Sequence, residues 1–174
     1  LDLGSQLKSL KKFTEKSIDN KLNTASLKNF KVEKNIEKDG KIVETIKSGD
    51  HLLLQISKEP ISTKGPRLTT ELSLAGRYMV LTPFSDKVSV SQKIEKAEEK
   101  ARLKKLIRSI KPHGFGVIIR TVATGKKVAE LDQDLKNLYK KWQVISKKLK
   151  GTKAPTKILG ELNRSSTILR DLLD

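Results

Sequence analysis

From Leu131 to Leu149 apolar residues recur in steps of four and three: Leu131, Leu135, Leu138, Trp142, Ile145 and Leu149. That is the repeat of one face of a helix, and nothing interrupts it. At about 3.6 residues per turn the stripe runs for roughly five turns. A face that long must be covered by other apolar surface, so it demands a partner layer. Gly151 and Pro155 close the helix. A base-stacking platform would need many rings, and Phe, Trp and Tyr make up only 4% of the chain. The stripe therefore reads as core facing a sheet.

The segments that supply the partner layer lie upstream. Phe115 to Ile119 reads as a buried strand. Tyr78, Val80 and Leu81 follow Thr69, Leu72 and Leu74, residue types suited to two strands around Ala75-Gly76. Gly76 inside that pattern suggests a bend, a bulge or the close approach of another group. Between them, from Ser91, the period becomes helical: Ile94, Ala97, Ala101, Leu103, Leu106, Ile107 and Ile110. Glu98, Glu99, Lys100, Lys104 and Lys105 form the opposite face, and Pro112 and Gly114 stop the helix. After residue 68 the order is strand, strand, helix, strand, helix. That predicts an α+β fold, a small mixed sheet with two long helices on one face.

The first third is harder to read. Leu3, Leu7, Leu10 and Phe13 have helical spacing among lysines. The stretch from Asp19 to Lys41 is polar and reads as loop, with a turn signal at Asp39-Gly40. Leu52, Leu54 and Ile56 alternate between Ser48-Gly49 and Pro60, which suits a strand. At the other end, "NRSSTILRDLLD" reads as a helix capped by Ser165 or Ser166. No internal repeat is evident.

Charge narrows the function. Thirty-seven Lys and Arg against twenty Asp and Glu give a formal charge of +17. Such an excess predicts a polyanionic partner, nucleic acid before an anionic membrane surface. No cysteine is present, which fits a reducing, cytoplasmic setting and excludes disulfides and thiolate metal sites. His51 and His113 are far apart, and no His, Asp or Glu cluster has metal-ligand spacing. A nucleophile elbow and a P-loop are absent, so no complete active site is expected. The apolar runs are too short to span a bilayer, and the start does not resemble a signal peptide. The chain lacks an initiator Met and reads as a piece of something longer.

The stretch "GFGVIIRTVATGKK", Gly114 to Lys127, concentrates the chemistry. A strand that ends in Arg120-Thr121 and turns into a helix sets phosphate-binding devices side by side. The guanidinium is a rigid fork of donors, and the hydroxyl and backbone amides add others. The next helix N-terminus favours an anion, Gly125 allows close approach, and Lys126 and Lys127 add positive potential. The same pattern also suits an arginine that pairs with a carboxylate at a strand end.

Several separated blocks, in order, resemble the RNase E/G family of bacterial endoribonucleases: "KGPRLTTELSLAGRY", "VLTP", the "IIRT" strand, and the helix with Leu135 and Trp142. The resemblance runs from about Gly49 to the C-terminus, more than two-thirds of the chain. It implies an interleaved layout of an RNA-binding oligonucleotide-fold barrel, a 5′-sensor domain, an RNase H-like part and a later nuclease-like part. Residues 1–67 would be a partial barrel segment with a basic helical and loop insertion. Residues 68–174 would be the 5′ sensor, ending in a helix toward the RNase H-like part. The metal-binding aspartates would lie beyond this chain, making the piece non-catalytic. The parent would be a Mg2+-dependent endoribonuclease of RNA processing and decay, a homo-oligomer, with Zn2+ shared in some members.

Residue by residue, the resemblance implies a pocket for the 5′-monophosphate of RNA. Arg120 and Thr121 would hold the phosphate, Gly76 would leave room and an amide, and Val80 would pack against the terminal base. Lys64, Arg67, Lys93, Lys126 and Lys127 would contact the RNA backbone, although Lys64 and Arg67 also suit simple exposed bases. Where relatives often carry an Arg pair, this chain reads Gln92-Lys93, which weakens any contact there. The basic N-terminal stretch has no counterpart in the better-known members. An alternative of another class is a structural or assembly module that binds RNA only non-specifically.

Overall fold

The computed structural model describes residues 1–22, 24–37 and 40–160. The fold is α+β. Helix α1 spans Leu7–Ile18. Strands β1 (Gln55–Lys58) and β2 (Arg67–Thr69) pair antiparallel as a small separate sheet. Then come β3 (Leu74–Ala75), β4 (Met79–Pro83), β5 (Val88–Val90), α2 (Ala97–Ile110), β6 (Phe115–Ile119) and α3 (Val128–Leu149).

The main sheet has the order β3-β4-β6-β5. β3, β4 and β6 are antiparallel neighbours, whereas β5 lies parallel to β6, making the sheet mixed. Parallel neighbours need a crossover, and α2 supplies it. Strand alternation sorts the faces. Met79, Leu81, Phe115, Val117 and Ile119 are buried toward the helices. Val80 and Thr82 are half-buried on the other face, and Ile118 there stays 47% exposed.

The stripe of α3 meets the inner face. Leu131, Leu135, Leu138, Trp142, Ile145 and Leu149 are all buried. Trp142 is the hub: its ring lies 5.0 Å from Phe13, 5.6 Å from Phe115 and 5.9 Å from Phe84. Its indole Nε1 donates to the Ala25 carbonyl at 2.8 Å, so the polar edge of the ring is satisfied by the N-terminal segment. Leu10, Phe13 and Leu27 belong to the same core. The basic amphipathic helix predicted at the start thus exists, and it lies against α3.

Some expectations shift in detail. Strand β5 has no counterpart among the strands expected from the sequence; its three residues gain their conformation by pairing with β6. α2 starts at Ala97 rather than near Ser91. Ile94 is buried through a turn, its N–H donating to Ser91 O at 3.2 Å, while Ala97 and Ala101 face solvent. The Asp39 turn and the terminal helix around Ser165 lie outside the described residues.

Candidate functional site

The candidate site is the end of the sheet where β6 runs out. The Arg120 N–H donates to Tyr78 O at 2.9 Å, carrying the β4–β6 ladder one residue past the strand. By alternation Arg120 shares the outer face with Ile118 and with Val80, the cross-strand partner of Ile118. The backbone then tightens into a 3₁₀ turn over Thr121–Ala123 before α3 begins.

The Arg120 head reaches the bend between β3 and β4. Its Nη1 donates to Gly76 O at 2.9 Å and to Arg77 O at 3.1 Å. Two residues 44 apart in sequence are thereby joined. Gly76 is expected from the sequence to offer room and an amide to a ligand. Its N–H donates to Met79 O at 2.8 Å, closing the bend, so that amide is engaged inside the protein. A Cβ on Gly76 would lie 2.6 Å from Asp134 Oδ2 and 2.7 Å from Oδ1. The space beside the glycine is filled by a carboxylate from α3, which accepts N–H groups from Arg77, Tyr78 and Met79 at 3.2, 2.9 and 3.3 Å.

Thr121 faces the other flank. Its Oγ1 lies 3.1 Å from Ser91 Oγ, just beyond β5. Ser91 Oγ also accepts the Lys93 N–H at 3.4 Å, and the Lys93 side chain is exposed. Arg120 and Thr121 therefore spread across the sheet end, one toward β4 and one toward β5.

The loop to α3 carries its own anions. Glu99 on α2 accepts Arg102 Nε at 2.6 Å, Arg102 Nη2 at 2.7 Å and the Gly125 N–H at 2.9 Å. The Arg102 guanidinium, then the Gly125 amide, hold the Glu99 carboxyl down at about 2. The amide expected to approach a ligand is thus capped by an internal acid. At the α3 N-terminus Glu130 accepts the Lys127 N–H at 2.9 Å. That bond, more than the nearby Lys126 and Lys127 charges, lowers the Glu130 pKa. Lys126 Nζ lies 3.9 Å from Glu130 and 5.7 Å from the centre of the Tyr78 ring.

Lys64 and Arg67 lie apart from this cluster. Lys64 is exposed in a turn closed by paired bonds with Ile61 at 3.0 and 3.1 Å. Arg67 opens β2, with Nη2 3.7 Å from Asp2. It lines a cleft of about 360 Å³ between the two sheets, which Thr82 and Ile118 line from the other side.

Sequence reasoning located Arg120, Thr121 and the Gly76 bend. It missed Asp134, Glu99 and Ser91, whose partners are distant in sequence. One signal was available: Asp134 stands three residues after Leu131, which puts an acid at the rim of the α3 stripe.

No group of three His, Asp or Glu among the described residues could hold a metal ion. No described helix is long and apolar enough to cross a membrane.

Comparison with known proteins agrees with these blocks. The family model for the ribonuclease E/G family matches residues 73–174. Over 131 residues the chain is 38% identical to "Ribonuclease E" of Nostoc sp., covering 75% of this chain and 19% of that protein. Over 133 residues it is 38% identical to "Ribonuclease G" of Escherichia coli, covering 76% of this chain and 27% of that protein. "Ribonuclease G" of Haemophilus influenzae is 39% identical over 132 residues, with 76% and 27% covered. The match thus spans only 19% to 27% of the length of these curated relatives. With the family model covering more than half of its residues, this chain belongs to the ribonuclease E/G family.

Proposed function

We propose that this chain binds RNA and senses a 5′-monophosphate end at the Arg120 end of the main sheet. The parent protein on this reading is a cytoplasmic, homo-oligomeric endoribonuclease of RNA processing and decay. One observation carries the proposal: the Arg120 guanidinium is held at the Gly76 bend, at the end of the sheet whose outer face carries Val80, while the Thr121 hydroxyl lies at the same sheet end on the β5 flank. The guanidinium is a planar, charged fork suited to phosphate oxygens, and bonds from Nη1 to two carbonyls tie it to the bend. The bend holds the head at the sheet end, where a terminal phosphoryl group meets it and Thr121. Val80, half-buried beside exposed Ile118, offers apolar surface to a terminal base. A triphosphate brings added bulk and charge to the same position.

Residues 1–67 are proposed as part of the family's RNA-binding barrel with a basic insertion, and residues 68–174 as the sensor. On that view the cleft between the two sheets continues the strand path, with Arg67 and Lys64 contacting phosphates. Lys93, Lys126 and Lys127 do the same at the sheet end. The Mg2+ and Zn2+ of the parent find no donor set among the described residues, so no catalytic step is assigned to them.

The test is fluorescence anisotropy with one short RNA bearing a 5′-monophosphate, a 5′-triphosphate or a 5′-hydroxyl. The monophosphate form is expected to bind about tenfold tighter than the hydroxyl form, the scale of one charge-assisted contact. Arg120→Ala removes that difference. Equal affinity for the three ends in the unmodified chain would sink the proposal and favour an assembly module with general RNA binding.

A further inference from the structure

Opposite charges grip the bend at Gly76 from its two sides. Two successive peptide groups span it. The Gly76–Arg77 peptide accepts Arg120 Nη1 at 2.9 Å on its carbonyl and donates its N–H to Asp134 Oδ1 at 3.2 Å. The Arg77–Tyr78 peptide repeats the pattern: its carbonyl accepts Nη1 at 3.1 Å and its N–H donates to Oδ2 at 2.9 Å. Each peptide dipole thus points its negative end at the guanidinium and its positive end at the carboxylate. Such bonds are charge-assisted, and bonds in a chain polarise one another. Arg120 and Asp134 thus hold the same two peptide groups from opposite sides.

This arrangement explains the glycine. Any Cβ on Gly76 would stand 2.6–2.9 Å from the Asp134 carboxyl group, so a side chain there must expel Asp134 or reshape the bend.

We propose that Asp134 is a positioning residue for the anion site. It orients the bend, the bend's carbonyls aim the Arg120 head, and Asp134 thereby sets how strongly a terminal phosphate is recognised without touching it. The proposal deepens, and rests on, the reading of Arg120 as a phosphate ligand.

Asp134→Asn separates charge from shape. The amide keeps the size, but its NH2 would confront a backbone N–H where Asp134 presents an oxygen. Kd is measured on the full chain for 5′-monophosphate and 5′-hydroxyl RNA of one sequence. The ratio of the two is expected to fall about tenfold in D134N, as for loss of a charge-assisted bond. Gly76→Ala should reproduce that fall. The double variant D134N/R120A should discriminate no worse than Arg120→Ala alone, because both act through one contact. An unchanged ratio in D134N, with the ratio lost in Arg120→Ala, overturns the proposal. A second readout is independent of RNA: the Arg120 guanidinium NMR signals, slowed in rotation when Nη1 is fixed. They should broaden or shift in D134N and in Gly76→Ala. If the unmodified chain shows no end preference, the RNA-end reading falls, and these signals still decide whether Asp134 aims Arg120. Unaltered signals in D134N would sink the positioning role.

Discussion

Glu99 illustrates how one side chain ties two segments. It joins α2 to the loop before α3 through Arg102 and the Gly125 amide. Its carboxyl is held at about 2 against an ordinary 4.5, so folding favours the charged form. The stabilisation is therefore complete above pH 4.5 and is lost as pH falls through about 2. Glu99→Gln is expected to cost about 0.5–1 kcal/mol at pH 7, the scale of a partly exposed ion pair. Urea midpoints should show that gap narrowing as the pH drops below 4 and closing near pH 2. Gly114 is a second point of constraint. It has φ +79°, and a Cβ there would lie 2.6 Å from the Leu27 Cβ. Gly114→Ala should destabilise by about 1–3 kcal/mol through strain and overpacking, read by thermal melting. Gly114 was legible in the sequence as a helix stop. Its contact with Leu27 was not, because nothing local links positions so far apart. Asp134 was overlooked for the same reason: the value of an acid depends on which amides the fold brings to it.

At the scale of elements, α3 governs the core. Trp142→Ala is expected to cost about 3–5 kcal/mol, the usual loss for a fully buried indole. A double-mutant cycle between Trp142 and Phe13 should give a coupling of about 0.5–1.5 kcal/mol for the paired rings. Additivity of the two substitutions would mean that α1 is not docked there in solution. α3 could be read in advance because its stripe is long and strictly periodic, and every stripe position is buried. Strand β5 could not, since three residues are too few to express an alternation. β5 also depends on a parallel partner that arrives only after α2. The Arg120 end of the sheet was legible because a buried run stops abruptly at a charge. How Arg120 and Thr121 divide between β4 and β5 needed the strand order.

For the whole molecule the dominant quantity is the +17 charge. RNA affinity should fall steeply with salt, by about −0.7 in log–log slope for each phosphate neutralised. For roughly five contacts the slope is about −3.5, and Arg120→Ala should make it shallower by about 0.7. A flat salt response would show that the lysines do not face the ligand. The hydrogen bond from the Trp142 indole to the Ala25 carbonyl also bears on how this protein can be divided. A shortened version starting near β1 would look sensible from the family match alone. It would leave Trp142 without its acceptor and strip Phe13 from Phe84 and Trp142, opening an aromatic hole under the sheet. Anyone wishing to study the proposed anion site by itself must carry the first thirty residues along with it.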